Sequence, residues 1–414
     1  MTGGGAASAF VRRVFASLDS RNYRRYLAGQ AVSYTGTWMQ TVAQAWLVLQ
    51  LTGSGTALGV LAALQTVPVL VLGPYGGVVA DRTDKRRLLI AVQSAMGALA
   101  LVLGVLTLTG GVALWHVFGL AFLLGLGQCF DNPARQAFTL EMVDPDRVRN
   151  AVTLNSVLVN AARAVGPALA GLVIAAGSTG ICFVLNAVSF AVVALSLTRL
   201  DRSALRPTPP TGRAPGQLRD GLRYVARTRE LAVPLLMMAL VGCLAYEFQV
   251  VLPVVAEQTF AGDARAYGLM TGAMGVGAVL GGLVVAARGR TGIRAMVLSA
   301  LAFGAAMAGT AAAPSLPVAV AALVLVGTAS ISFLSAGSST LQLAAAPTMR
   351  GRVMALWSVA FIGSTPIGGP IVGAVAEHVG GRAALAVGAV TCLLAAALGT
   401  LLLRRPPRAV PVPD

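Results

Sequence analysis

Charge is scarce in this chain. Of its 414 residues 11% are Asp, Glu, Lys or Arg, while 56% are hydrophobic. A water-soluble domain carries about 25% charged residues, so an ordinary soluble globular chain is excluded. Acid is scarcer than base: 15 Asp and Glu stand against 31 Lys and Arg, a formal net charge of +16. Such an excess suits a nucleic-acid partner when the basic residues share one face or one tail. Here they lie in short loops between apolar runs, so no nucleic acid is implied. Cysteine is rare as well, and Cys129, Cys182, Cys243 and Cys392 all fall inside apolar runs without C-x-x-C spacing. Neither a metal site nor a disulfide framework follows, and no cofactor is called for. His116 and His378, the two histidines, sit beside loops and read as surface residues rather than ligands. The chain has no G-x-x-x-x-G-K-(S/T) loop for ATP, no H-E-x-x-H helix, no D-x-x-D within an apolar run and no convincing Ser/His pair. A polytopic membrane enzyme is therefore the remote alternative. A cleavable leader is not expected, because Arg12, Arg13, Arg21, Arg24 and Arg25 interrupt the first residues before any long apolar core.

What the chain has is apolar runs, twelve of them. Within a few residues at each end they cover 26–51, 56–80, 88–109, 112–134, 151–176 and 179–198, then 231–258, 266–287, 293–313, 315–345, 353–376 and 382–403. About 20 apolar residues cross a bilayer as a helix, and each run is long enough. The expected fold class is an all-α membrane protein with twelve transmembrane helices. The organisation is an N-terminal segment 1–25, a first bundle 26–198, a linker 199–230, a second bundle 231–403 and a tail 404–414. The linker is rich in Arg and Pro (Pro207, Pro209, Pro210, Pro215) and too polar to span. Residues 10–18 suit a short surface helix, residues 220–228 a second, and the Pro-rich tail reads as disordered. With the N-terminus inside, 28 of the 31 basic residues fall in cytoplasmic segments. Only Arg265 and Arg382 lie in outer loops, and Arg163 lies within the fifth run. Lys and Arg accumulate on the cytoplasmic side, so both termini are expected there, in the cell membrane.

One hairpin organises the rest. Gly77-Val78-Val79-Ala80-Asp81-Arg82-Thr83-Asp84-Lys85-Arg86-Arg87 joins the second run to the third. An ordinary basic turn accounts for Arg82, Lys85 and Arg86 but not for Gly77 and Asp81 at this spacing. Gly77 removes a side chain where helices touch. Asp81 ends a helix, where a carboxylate needs a basic group or another helix's N-terminus. This loop resembles the one between the second and third helices of the major facilitator superfamily of secondary transporters. The resemblance implies two pseudo-symmetric six-helix bundles, and the repeats agree. Gly77 to Arg82 is echoed by the stretch Gly282 to Arg290, with Ala286 at the acid position. Arg147-Val148-Arg149 is echoed by Arg350-Gly351-Arg352, and Gly166-Pro167 by Gly369-Pro370. Repeated halves imply a substrate site near the midplane and rocking of one half against the other.

The fifth run, Ala162-Arg163-Ala164-Val165-Gly166-Pro167-Ala168-Leu169-Ala170-Gly171, is similar to the superfamily's export signature, with alanine at two of the glycine positions. A generic Gly-Pro kink is the plain alternative. The arginine such exporters carry in the fourth helix is replaced near Ala121, ahead of Gly125-Leu126-Gly127. Phe130-Asp131-Asn132-Pro133-Ala134-Arg135, Tyr246-Glu247-Phe248-Gln249 with Leu252-Pro253, and Arg350-Gly351-Arg352-Val353-Met354 resemble the enterobactin exporter-like efflux branch of that superfamily. The motif residues Gly77, Asp81, Arg82, Lys85, Arg86, Gly166 and Pro167 would then govern conformation, with Asp81 as a cytoplasmic latch.

Ionisable groups inside a membrane are costly, so each is a functional candidate. Glu247 lies well inside the seventh run and is the first proton-coupling candidate, with a structural paired glutamate as its rival. Asp131 is the second, with the competing expectation that it bonds the neighbouring loop or Arg135. Arg163 stands one turn from Pro167, with Asn160 three residues before it. Gln40 and Gln44 share a helix face near Trp38 and Trp46. They suit either a ligand cavity or helix–helix hydrogen bonds. The substrate-binding candidates are Trp38, Gln40, Gln44, Asn160, Arg163 and Tyr246. The leading expectation is a monomeric secondary transporter exporting small amphipathic molecules in exchange for protons. The alternative is a uniporter or importer of one metabolite.

Overall fold

The computed structural model describes residues 15–206, 217–288, 291–347 and 349–404. Among the described residues there is no strand. Six long helices come first: α1 (Arg21–Thr52), α2 (Gly55–Arg82), α3 (Lys85–Leu108), α4 (Leu114–Glu141), α5 (Val148–Ala176) and α6 (Thr179–Thr198). After the short α7 (Gln217–Arg227) follow α8 (Arg229–Leu244), α9 (Phe248–Val254), α10 (Ala264–Arg288), α11 (Ile293–Ala311), α12 (Leu316–Ala344), α13 (Arg350–Ile362), α14 (Thr365–His378) and α15 (Gly381–Arg404).

Eleven spans among the described residues are long and apolar enough to cross a membrane. The long helix outside that set is α1, which is long enough but more polar. Its Gln30, Ser33, Gln40 and Gln44 are all buried against protein, so their polarity is not offered to lipid. With α1 the spans number twelve. Many large apolar side chains are exposed instead, among them Val71, Leu172, Leu298 and Leu325. A water-soluble surface would not carry so many, whereas a lipid-facing one does.

Two of the expected continuous runs are in fact broken. Run 231–258 stops at Leu244, restarts as α9 at Phe248 and ends in a π-helical turn, Val255–Thr259. Run 353–376 divides at Gly363 and Ser364 into α13 and α14. Pro366 lies in the first turn of α14 and has no N–H to return to Ile362, so the second run is interrupted there. Apolar composition hides both breaks, because the residues around them are as lipid-compatible as the helices. Of the surface helix expected over 10–18, residues 10–14 lie outside the described residues, and Ala16–Asp19 forms one 3-10 turn. The helix expected over 220–228 is α7. The prolines of the linker and the tail beyond Arg404 lie outside the described residues.

The described residues form two compact units that each borrow one helix start from the other half of the chain. Unit 1 is Met1–Gly53, Leu64–Gly212 and Asp263–Gly272; unit 2 is Ser54–Ala63, Arg213–Gly262 and Ala273–Asp414. In unit 1, α3 packs on α6 and α4, and α1 packs on α6 and α5. In unit 2, α11 packs on α15 and α12, and α8 packs on α15, α13 and α14. The same pattern recurs with the second set of helices, so the repeat seen in the motifs is a repeat of packing. Helix ends follow local chemistry. Gly53 closes α1 at φ 63°, its N–H bonded to the Leu49 carbonyl at 2.7 Å, a left-handed cap that glycine adopts without strain.

Candidate functional site

In unit 2 the two broken spans meet. Glu247 has non-helical backbone (φ −82°, ψ 40°), and its carbonyl accepts the N–H groups of Val250 and Val251, both at 3.0 Å. The break therefore places a carboxylate near mid-span, at the start of a half-helix. Its side chain is 4% exposed and faces the Thr365 side chain, which opens α14. Its Oε2 lies 3.6 Å from where a Gly369 Cβ would stand. Its Oε1 is buried with no hydrogen-bond partner among the described residues. The wall is tight. A Cβ on Gly368 would overlap the Cys243 carbonyl, and one on Gly242 would stand 3.0 Å from Ser364 Oγ. Broken helices at the midplane are where transporters present backbone dipoles to cargo and coupling ions.

Tyr246 precedes this carboxylate, and its hydroxyl donates to the Ser330 carbonyl at 2.7 Å. Its ring lies 5.2 Å from Phe361, 5.3 Å from Phe303 and 6.2 Å from Phe248. The half-buried ring is thus the centre of an aromatic cluster, held from both ends.

Unit 1 holds the other candidates. A Cβ on Gly166 would stand 2.6 Å from Trp38 Cβ and 2.8 Å from the Thr35 carbonyl, so α5 crosses α1 in near backbone contact. That crossing brings the Arg163 guanidinium over the Trp38 ring, 4.9 Å from its centroid. A cation on an indole face is attracted by the ring quadrupole, most strongly where water is excluded. Helix α5 continues through Pro167. Asn160 bonds back to the Ser156 carbonyl at 2.8 Å. Gln40 accepts from Asn186 at 2.6 Å and Gln44 from Gln65 at 3.1 Å, so both glutamines join helices. The Gln44 amide nitrogen is buried and has no partner among the described residues. Trp46 stacks on Tyr267 at 6.3 Å.

Asp131 is 2% exposed and takes both kinds of partner that a buried carboxylate needs. Gln93 donates to it at 2.7 Å, and Arg135, one turn on, forms an ion pair with it. Arg135 also donates to Gln30 at 2.8 Å and lies 4.8 Å from the Tyr34 ring centroid. Around this pair Gln30 Nε2, Gln93 Oε1, Arg135 Nε and Tyr26 Oη are buried without hydrogen-bond partners among the described residues.

The hairpin divides its charges by role. Asp84 caps α3 by accepting from the Arg87 N–H at 2.9 Å. Lys85 pairs with Glu141 at 2.9 Å. Arg86 donates to the carbonyls of Leu197 at 2.6 Å and Thr198 at 2.7 Å, closing the C-terminus of α6 with a cation. Arg82 is exposed and Gly77 is buried. Asp81 is half-buried in the last turn of α2 and makes no hydrogen bond or ion pair among the described residues.

The family described as transmembrane secretion effectors matches residues 13–409, nearly the whole chain. The chain belongs to that family, within the major facilitator superfamily. The chain is 24% identical over 268 residues to the staphyloferrin A transporter of Staphylococcus aureus, covering 63% of this chain and 66% of that one. The match therefore spans just under two thirds of that relative's length. It is 28% identical over 365 residues to the multidrug efflux pump Tap of Mycolicibacterium fortuitum, covering 83% of this chain and 87% of that one. Among solved structures it resembles a bacterial homologue of the human lysosomal transporter Spinster in an inward-facing, unoccupied conformation. The TM-score is 0.74 at 14% identity, covering 92% of this chain and 97% of that one. That likeness shows the fold alone. The family is one of transporters, not enzymes.

Sequence reasoning missed Glu141, Gln30, Gln93 and Thr365. Glu141 closes the fourth helix with no motif around it. The two glutamines stand alone in apolar runs, where a polar residue is itself the available signal. Thr365 is marked by the Pro366 that follows it.

Proposed function

We propose that this protein exports small amphipathic molecules across the cell membrane by proton-coupled alternating access, as a monomer with both termini cytoplasmic. The observation that carries the proposal is Glu247. A buried carboxyl enclosed between two half-helices, with Oε1 unpartnered among the described residues, is a place to load a proton. Losing that proton when the site opens to the other side would tie proton entry to cargo exit. The cargoes for which two relatives are named, staphyloferrin A and multiple drugs, support an amphipathic substrate. Trp38 and Arg163 supply an aromatic face and a cation for it in unit 1, where Gln44 and Asn160 are further candidates, and Tyr246 is the candidate of unit 2. Gln40 gives its carbonyl oxygen to Asn186 and contributes through helix position. Asp131 is the reserve coupling site. Gly77, Asp81, Arg82, Lys85 and Arg86, with Gly166 and Pro167, would govern the conformational change.

Proteoliposomes test the coupling. Glu247→Gln keeps size and hydrogen bonding but removes titration. Substrate exchange at equal concentrations should persist, while accumulation driven by an imposed pH gradient should fall at least tenfold. Undiminished gradient-driven transport would move the coupling to Asp131. Ala121, fully buried where exporters of this kind carry arginine, favours the second reading, a facilitator with no proton step. In that case wild-type transport itself ignores the gradient.

A further inference from the structure

The first turns of α2 belong to unit 2, where they dock on α14. A Cβ on Gly59 would overlap the Gly369 carbonyl, and one on Gly55 would stand 2.6 Å from the Gly373 carbonyl. The two backbones therefore touch over more than one helical turn, with nothing but glycine able to stand between them. One turn past Gly373, at the end of this crossing, α14 presents the exposed carboxylate of Glu377. Its Oε2 accepts from Ser54 Oγ at 2.5 Å and from the Thr56 N–H at 2.9 Å. Ser54 Oγ in turn accepts the Ala57 N–H at 3.1 Å, so Glu377 completes the cap of α2 from another helix. The first N–H groups of a helix have no partner within it and carry its partial positive charge, which makes an anionic acceptor there favourable.

The related crossing in unit 1 lacks this bond. There the first turns of α10 dock on α5, and a Cβ on Gly268 would stand 2.6 Å from the Pro167 carbonyl. Helix α10 caps itself, Asp263 Oδ1 accepting from the N–H groups of Arg265 at 2.9 Å and Ala266 at 3.2 Å. Counting seven residues from each motif proline, Glu377 corresponds to Ile174. Packing is repeated, and the carboxylate is not.

We propose that Glu377 is a latch that holds the start of α2 to α14 on the side that the basic-residue bias assigns to the outside, and that this latch must release when that side opens. The proposal rests on the alternating access put forward above. It makes Glu377 a positioning residue for the transport cycle, one that touches no cargo. Two charge-assisted hydrogen bonds and a glycine crossing form one closure, and water replaces the carboxylate's partners on opening.

Ala376 supplies the probe, since it is fully buried and its Cβ lies 3.3 Å from where a Gly55 Cβ would stand. Ala376→Cys is made with Cys129, Cys182, Cys243 and Cys392 replaced, and right-side-out vesicles are exposed to a membrane-impermeant maleimide. Adding Glu377→Gln or Glu377→Ala should speed labelling about fivefold or more, and Ser54→Ala or Glu377→Asp should fall between these and the parent. An unchanged labelling rate in both the Gln and Ala variants overturns the latch. Transport in the same vesicles separates the two ideas. Faster labelling in a protein that moves no cargo keeps the latch and removes the transport reading. Normal transport with unchanged labelling does the reverse.

Discussion

Lys85 Nζ lies 2.9 Å from Glu141 Oε1, and each side chain is 8% exposed. The pair joins the first residue of α3 to the last residue of α4. Beside it Arg86 closes α6 through two carbonyls. The basic hairpin is thus half solvent-facing turn and half internal fastening, and the fastening leads to the first prediction. Glu141→Ala leaves a buried ammonium without its carboxylate, a loss of about 3–5 kcal/mol where such pairs are broken. Purified Glu141→Ala should unfold at a clearly lower temperature, read by a thiol-reactive dye meeting the buried Cys129, Cys182 and Cys392. The exchange Lys85→Glu with Glu141→Lys should recover part of the loss. A single variant as stable as wild type refutes the fastening.

Asp81 should behave oppositely. With no hydrogen bond or ion pair among the described residues, it has little to lose in this conformation. Asp81→Asn should unfold within a degree or two of wild type yet transport about tenfold more slowly, because the proposed latch partner is met only in another conformation. Wild-type transport rates from reconstituted Asp81→Asn would remove that role.

Glycine spacing gives a prediction with an internal control. Gly368→Ala drives a methyl into the Cys243 carbonyl, while Gly309→Ala meets nothing within 4 Å. Overpacking costs typically about 1–3 kcal/mol. Gly368→Ala should therefore lower the unfolding temperature and the yield from membranes, and Gly309→Ala should do neither. Equal behaviour of the two variants would mean that α8 and α14 part easily.

Topology is open to a direct test. A reporter enzyme active only in the cytoplasm, fused after Leu205 or after Val412, should be active in both fusions, as the basic-residue bias requires. Silence of either fusion, with activity from an outward-reporting enzyme at the same site, defeats the orientation.

Twelve spans, the paired halves and the placement of Glu247 inside the seventh span were legible in the residues, because membrane insertion depends on composition and an ionisable residue stands out in an apolar run. The breaks at Glu247 and Gly363 were not, since a lipid-compatible residue can sit in a helix or in a turn and hydropathy is blind to which. Which polar residues face protein was equally hidden: Gln40 finds Asn186 across 146 positions, and Asp131 finds Gln93 across 38. Glu377 reads as one charge near a loop until folding carries it to Ser54, 323 residues away. Composition acts residue by residue and so fixes what enters the membrane. Partnership depends on which helices come within hydrogen-bond reach, and packing alone decides that.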